Sequence, residues 1–283
     1  MRYNDSMKKC SASLDYKSQK DRSVLLEVAL HHEPILFGLW TFDVRVGKKT
    51  LSPIGKWSNI CDHSERGCHY LEIELLLSGD YRLQRSLLID HKNQLLLLSD
   101  TILASEGLKT NETLSFCSQF YVSPKLRAKP ISGATELDFC PAGRSTAPVF
   151  RVLPLALPEW TTSTPTGLVN GTLNATEGML TLRQESTGSS LFVPLLFDLN
   201  ADRLSQRYTW RHLSVGEDLR RMREDEAVGY RIQLGKEQFL LYRSLTESAS
   251  RTVLGHNLID DFCFAQFSPK TGVDPLIAIE VVR

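Results

Sequence analysis

The residue pattern predicts an all-β chain: a large two-sheet antiparallel sandwich with few short helices. Apolar residues recur at every second position or fill short unbroken runs, and turn-rich segments break them at short intervals. No long stretch carries the 3.6-residue apolar period of a buried helix face, which favours stacked sheets over an α/β fold. Residues 1–22, polar and charged, are expected to be a flexible lead-in, and 23–283 a single large sandwich domain.

The first strand candidates are "VLLEVAL" (24–30) and "ILFGLWTFDVRV" (35–46), which stop at the turn-rich "GKKTLSPIGK". From Tyr70 to Asp90, two alternating halves meet at Ser78-Gly79-Asp80, a short glycine-containing connection suited to a hairpin. With those residues as the loop, Leu75 lies opposite Leu83 and Ile73 opposite Arg85. Arg85 then shares the apolar face with Leu83, Leu87 and Ile89, where a charge needs a partner. "HKNQ" (91–94) turns the chain into "LLLLSDTIL", an apolar run expected of a strand covered on both sides.

The middle third is punctuated by prolines. Its strand candidates are "TLSFCSQFYV", "PVFRVLPLAL", "GMLTLRQES" and "SLFVPLLFDL", and the proline in the last suggests an edge or a bulge. In the last third, "RYTWRHLSV" (207–215) is strand-like and "GEDLRRMREDEA" (216–227) reads as a charged surface connection with a helical turn. "VGYRIQLGKEQFLLYRSL" is a second hairpin about Gly235-Lys236-Glu237, and "DPLIAIEVVR" a final strand.

Composition narrows the function classes. The 33 basic and 33 acidic residues cancel, so the basic surplus of a nucleic-acid or anionic-membrane binder is missing. No apolar run reaches the length of a membrane span, and the N-terminus carries no secretory pattern, so the expectation is no membrane partner and, by default, a cytoplasmic location. The N-x-Thr triplets at Asn111, Asn170 and Asn174 carry little weight without a signal. There is no P-loop, no GxGxxG after a strand, no GxSxG and no HExxH, and no cofactor is expected.

"CDHSERGCH" (61–69) packs Cys61, His63, Cys68 and His69 into nine positions, the ligand types that zinc prefers. The spacing matches no standard zinc framework, and Cys68 and His69 would point to opposite faces of a strand. No metal is expected; the segment reads as a loop before a strand, its cysteines reduced like most of the six. His63 should then lie apart from at least one of them.

Tyr208, Trp210 and His212 occur at alternate positions and share one strand face. Such rings stack on sugars and a histidine can donate hydrogen bonds, although the same pattern serves an inner sheet face with Trp210 as core anchor. Arg207 and Arg211 fall on the opposite, solvated face. Removing a proton beside a carboxylate requires a base and nearby cations. His63, His69, Arg82, Arg85, Tyr208, His212, Tyr230 and Arg231 are of the right types. His212, Tyr230 and Arg85 are the catalytic candidates. Tyr208, Trp210, His212, Arg82, Arg85 and Arg231 are the candidates for binding substrate.

The run "GLWTFDVRVGKKTLSPIGKW" followed by "HYLEIELLLSGDYRLQRSLLIDHKNQLLLLSD" resembles the β-sandwich portion of heparinase II/III-like polysaccharide lyases. There a strand carrying an arginine leads through a turn to an apolar strand ending in aspartate, matched here by Arg82, Arg85, Leu95 to Leu98 and Asp100. The resemblance implies large antiparallel sheets of the supersandwich kind and a polysaccharide partner. The family's helical toroid has no counterpart in these residues, and neither its histidine-and-acid metal motif nor its catalytic tyrosine can be placed on them.

Three functions follow as expectations. The first is a carbohydrate-associated module binding polysaccharide or oligosaccharide without turning it over. The second is a polysaccharide lyase or sugar isomerase with its site on a concave sheet face. The third is a structural sandwich that contacts proteins through strand edges.

Overall fold

The computed structural model describes residues 10–17, 22–108, 112–143, 145–161, 169–268 and 272–280. Strands β1 (Cys10–Asp15), β2 (Leu25–Leu30), β3 (Glu33–Val46) and β4 (Lys49–Thr50) come first. A four-stranded meander follows: β5 (Ser58–Glu65), β6 (Cys68–Leu77), β7 (Tyr81–Asp90) and β8 (Leu95–Ala104). The middle holds β9 (Leu114–Val122), β10 (Leu126–Pro130), β11 (Leu137–Pro141), β12 (Phe150–Pro154), β13 (Val169–Thr176), β14 (Met179–Ser186) and β15 (Leu191–Asp198). The last third holds β16 (Tyr208–Leu213), β17 (Gly216–Glu217), β18 (Arg220–Arg221), β19 (Ala227–Leu234) and β20 (Glu237–Ser244). It ends with β21 (Arg251–Val253), β22 (His256–Leu258), β23 (Phe262–Ser268) and β24 (Gly272–Ile279).

These strands make an antiparallel sandwich of four sheets, where two were expected. The first sheet has the order β1-β2-β3-β9-β14-β13, with β4 on β3. The second runs β10-β11-β12-β15-β8-β7-β6-β5, the third β16-β19-β20-β23-β24 and the fourth β18-β17-β21-β22. Three cores separate them. Leu26, Val28, Trp40 and Phe116 of the first sheet pack on Leu83, Leu87, Leu96 and Leu98 of the second. On its other face the second sheet packs Tyr70, Leu88, Leu95 and Leu97 against Trp210, Ile232, Phe239 and Phe264 of the third. The third packs Leu240, Tyr242 and Cys263 against Val215, Val253 and Leu258 of the fourth.

The run Leu95–Leu98 shows why the second sheet is central. Leu96 and Leu98 enter one core while Leu95 and Leu97 enter the next, all four fully buried. Each such side chain contributes roughly 1.5–3 kcal/mol of burial. The β6–β7 register pairs Ile73 with Arg85 and Leu75 with Leu83 around the three residues 78–80.

Elsewhere the local chemistry departs from expectation. Cys10–Asp15, within the segment expected to be a flexible lead-in, pairs with β2 as an edge strand; residues 1–9 and 18–21 lie outside the described residues. Among the described residues there is no α-helix, and none long and apolar enough to cross a membrane. The segment 216–227 makes a small hairpin instead of a helical turn, because Asp218 and Leu219 both adopt left-handed backbone. The β19–β20 turn is only Gly235-Lys236, with Leu234 paired to Glu237. Pro194 sits in a strand flanked on both sides, but β12 ends opposite Leu195, so the missing amide falls where that neighbour runs out.

Candidate functional site

Arg85 is fully buried between the first two sheets. Its Nε donates to Asp100 Oδ1 at 2.8 Å and its Nη1 to the Trp40 carbonyl at 2.6 Å. The guanidinium lies 3.9 Å from the Trp40 ring, with Phe42 and Trp57 completing an aromatic box. Asp100 is its direct partner across β7–β8 and also accepts from Ser118. Burial pulls Arg85 below the ordinary guanidinium range and lifts the Asp100 carboxyl, while their attraction opposes both shifts. No solvent reaches this pair, so Arg85 is a core ion pair.

Tyr208, Trp210 and His212 share one face of β16, as their spacing predicts, and that face packs against the central sheet. Trp210 is 3% exposed and its Nε1 donates to the Leu157 carbonyl at 2.9 Å. The Tyr208 hydroxyl donates to Asp198, and Arg151 stacks 4.4 Å from its ring. Neither ring has a free face for a sugar. His212 sits at the rim, directly opposite Tyr230 on β19 with ring centroids 5.5 Å apart, and its Nδ1 lies 3.4 Å from Glu224. Burial lowers the His212 pKa, Glu224 works against that shift, and Arg221 adds to it. Burial, with Glu224 beside it, holds the Tyr230 proton more tightly than in water. Arg231 points away from Tyr230, half-buried, and donates to Gln238 at 2.7 Å.

"CDHSERGCH" is a hairpin in its own right, not a loop before one. Cys61 to Glu65 belong to β5, Arg66 and Gly67 form a left-handed turn, and Cys68 opens β6. His63 pairs with Tyr70 and Ser64 with His69, so His69 lies on the opposite face from Cys68. Cys61 and Cys68 are free thiols. Among the described residues no three His, Cys, Asp or Glu side chains converge as a metal site. The His69 Nδ1 is 2.7 Å from Ser64 Oγ, and its Nε2 is 3.8 Å from Asp62.

Arg82 lies in a different setting. It lines a cavity of about 740 Å³ where five segments meet beside the second, third and fourth sheets. They are the start of β7, the segment after β8, the β14–β15 connection and the charged hairpin with its following turn; the β20–β21 connection closes the ring. Arg82 has Glu74 for a neighbour at 3.6 Å, beyond hydrogen-bond length. Arg251 is far more committed: Nε donates to Glu217 at 2.7 Å, Nη1 to Ser244 and Nη2 to Thr246 and the Glu247 carbonyl. Arg220 chelates Glu226, and Arg223 chelates Asp225. Asp225 also accepts from the Ser189 amide at 3.0 Å, tying the β14–β15 connection to the turn after β18. Gly188 is needed there, since a Cβ would stand 2.4 Å from Asp225 Cβ.

The sequence-derived set is therefore divided among places. Arg85 lies in one core, Tyr208, Trp210 and Tyr230 in another, His212 at a rim, Arg231 on the reverse face and Arg82 in the cavity. Arg220, Arg223, Asp225 and Arg251 were not anticipated there. For the first three the signal was the charge density of "GEDLRRMREDEA", which reads as a solvated connection until the hairpin folds it over the cavity; Arg251, at the start of β21, lies outside that segment.

No protein-family model matches the chain, and no curated protein matches it by sequence. Among solved structures, the heparan sulfate lyase HepC of Pedobacter heparinus aligns at 9% identity and a TM-score of 0.45 over 88% of this chain and 43% of its own. A heparinase III gene product with methylated lysines aligns at 8% identity and a TM-score of 0.49, over 87% of this chain and 42% of its own. The chain thus spans less than half the length of these proteins, and its all-β sandwich bears a weak structural resemblance to heparinase III.

Proposed function

We propose that this chain is a carbohydrate-binding sandwich that holds polysaccharide or oligosaccharide without turning it over, in the cavity containing Arg82. The observation that carries this reading is the cavity's lining. About 740 Å³ falls in the range of small-ligand sites, and the wall is mainly polar, with hydroxyls of Ser105, Thr187 and Ser190 among paired arginines and carboxylates. Sugars present hydroxyls on every edge, and such a wall offers both donors and acceptors. Arg82, the least engaged of the four arginines, suits a sugar carboxylate.

Binding is favoured over catalysis because, among the described residues, no histidine or tyrosine lines this cavity, and three of the four arginines there are hydrogen-bonded to side chains of the fold. One observation favours the lyase alternative: His212 and Glu224 meet at the rim of the third sheet, with the buried ring of Tyr230 beneath His212. The test is calorimetric titration with unsulfated glucuronate–N-acetylglucosamine oligosaccharides, with absorbance followed for unsaturated product. Binding without product, lost roughly tenfold in Arg82→Ala, supports the proposal. Product formation abolished by His212→Ala moves the function to the rim. The absence of both binding and product overturns the carbohydrate reading.

A further inference from the structure

Leu219 combines two costs that proteins normally avoid. The residue has a relative exposure of 111%, while the other exposed large apolar residues among those described lie between 38% and 61%. Its backbone is left-handed at φ +64°, directly after Asp218 at +46°. Two successive left-handed residues between β17 and β18 make the tight turn that usually ends in glycine. Aspartate tolerates this conformation through its short polar side chain, whereas leucine crowds its own backbone. Glycine or asparagine would remove both the strain and the apolar exposure. Leu254 is also left-handed, but it is 40% exposed and is followed by Gly255.

The placement of Leu219 suggests what the costs serve. Glu217 and Arg220, flanking the turn, both line the cavity. Glu217 is held by Arg251 and Arg220 by Glu226, so the stem is pinned at the rim while the tip stands in water. Strain and exposure concentrated on one residue beside a cavity point to a contact made only when a ligand is present.

We infer that Leu219 is a ligand-contacting residue that packs on the apolar C–H face of a sugar ring lying outside the cavity. The site then takes an oligosaccharide running from the cavity across the hairpin tip, not a lone sugar. This rests on the cavity reading and adds to it an outer subsite. Affinity must therefore rise with chain length, and Leu219 must be the source of the rise.

The experiment titrates unsulfated glucuronate–N-acetylglucosamine oligosaccharides of two, four and six sugars into wild type, Leu219→Asn and Arg82→Ala. The wild type is expected to gain roughly five- to tenfold from the shortest to the longest. In Leu219→Asn the gain disappears, disaccharide affinity stays within about twofold, and the melting temperature equals or exceeds that of wild type. A wild type with no length dependence, or a Leu219→Asn variant that keeps it, overturns the outer subsite and leaves the cavity reading standing. A lower melting temperature in Leu219→Asn assigns Leu219 to folding and also overturns it. No binding by wild type at any length overturns the cavity reading and the subsite together.

Discussion

Replacing Asp100 by alanine strands a guanidinium in the core. Arg85 would keep the Trp40 carbonyl and the aromatic box but lose its 2.8 Å carboxylate partner, at a position buried from the molecular surface. Breaking a buried pair from one side typically costs about 3–5 kcal/mol, because the remaining charge is desolvated and uncompensated. For 283 residues unfolding as one unit, the entropy change is about 0.6 kcal/mol per kelvin, so a loss of about 4 kcal/mol lowers Tm by about 7 °C. Chemical denaturation and calorimetry of Asp100→Ala measure this directly. The double variant Arg85→Met/Asp100→Leu removes both charges while keeping the volume and should return to within about 1 kcal/mol of wild type. A single variant costing under about 1 kcal/mol would falsify the claim that the charge is sealed in. A double variant as damaged as the single would show that the aromatic box, not the charge balance, sets the cost.

Three further outcomes follow. Because the folded His212 pKa is below 6.5, the unfolded chain takes up that proton first; His212 thus contributes stability above pH 6.5 that is lost as pH falls toward the folded value. His212→Gln should flatten that part of the stability–pH curve, and an unchanged curve would exclude the depressed pKa. Gly188→Ala drives a methyl into Asp225 and should cost about 1–3 kcal/mol while weakening carbohydrate binding; full stability in urea would refute the close approach. Burial pushes the Cys61 thiol up to about 11 and those of Cys10, Cys68 and Cys263 to about 12. At pH 8 the native thiolates are then at most about a thousandth of each, and mass spectrometry should find iodoacetamide reacting first at half-buried Cys61 and Cys117.

What the sequence made legible was local and periodic. Alternation from Tyr70 to Ile89 placed Arg85 inside and opposite Ile73, because a one-residue slip would have turned every leucine outward. The unbroken Leu95–Leu98 run announced a strand covered on both sides for the same reason. Even Asp100 could have been found as Arg85's partner by carrying the register through the turn at 91–94. The number of layers could not be read, since nothing in the alternation of β16 or β19 says which sheet covers it. Tyr208 and Trp210 show the consequence: their shared face was legible, but its burial depended on Arg151, Leu157 and Asp198, which reach it from strands of another sheet and the segment after β12. The charged hairpin was illegible because Leu219 holds the second turn position, where glycine is usual and leucine is a poor turn former.

The central sheet also dictates an order of events during synthesis. Strands β5 to β8 can pair as soon as they emerge, each with its neighbour in sequence. The free side of β8 must then wait for β15, whose Leu191–Asp198 lies roughly ninety residues downstream, on the order of ten seconds of translation. Throughout that interval Leu95 to Leu98 form an open edge, apolar on both faces, with neither covering sheet complete. Such an edge invites pairing with another nascent chain. The yield of folded protein should therefore fall with crowding on the polysome and recover under slow, dilute expression.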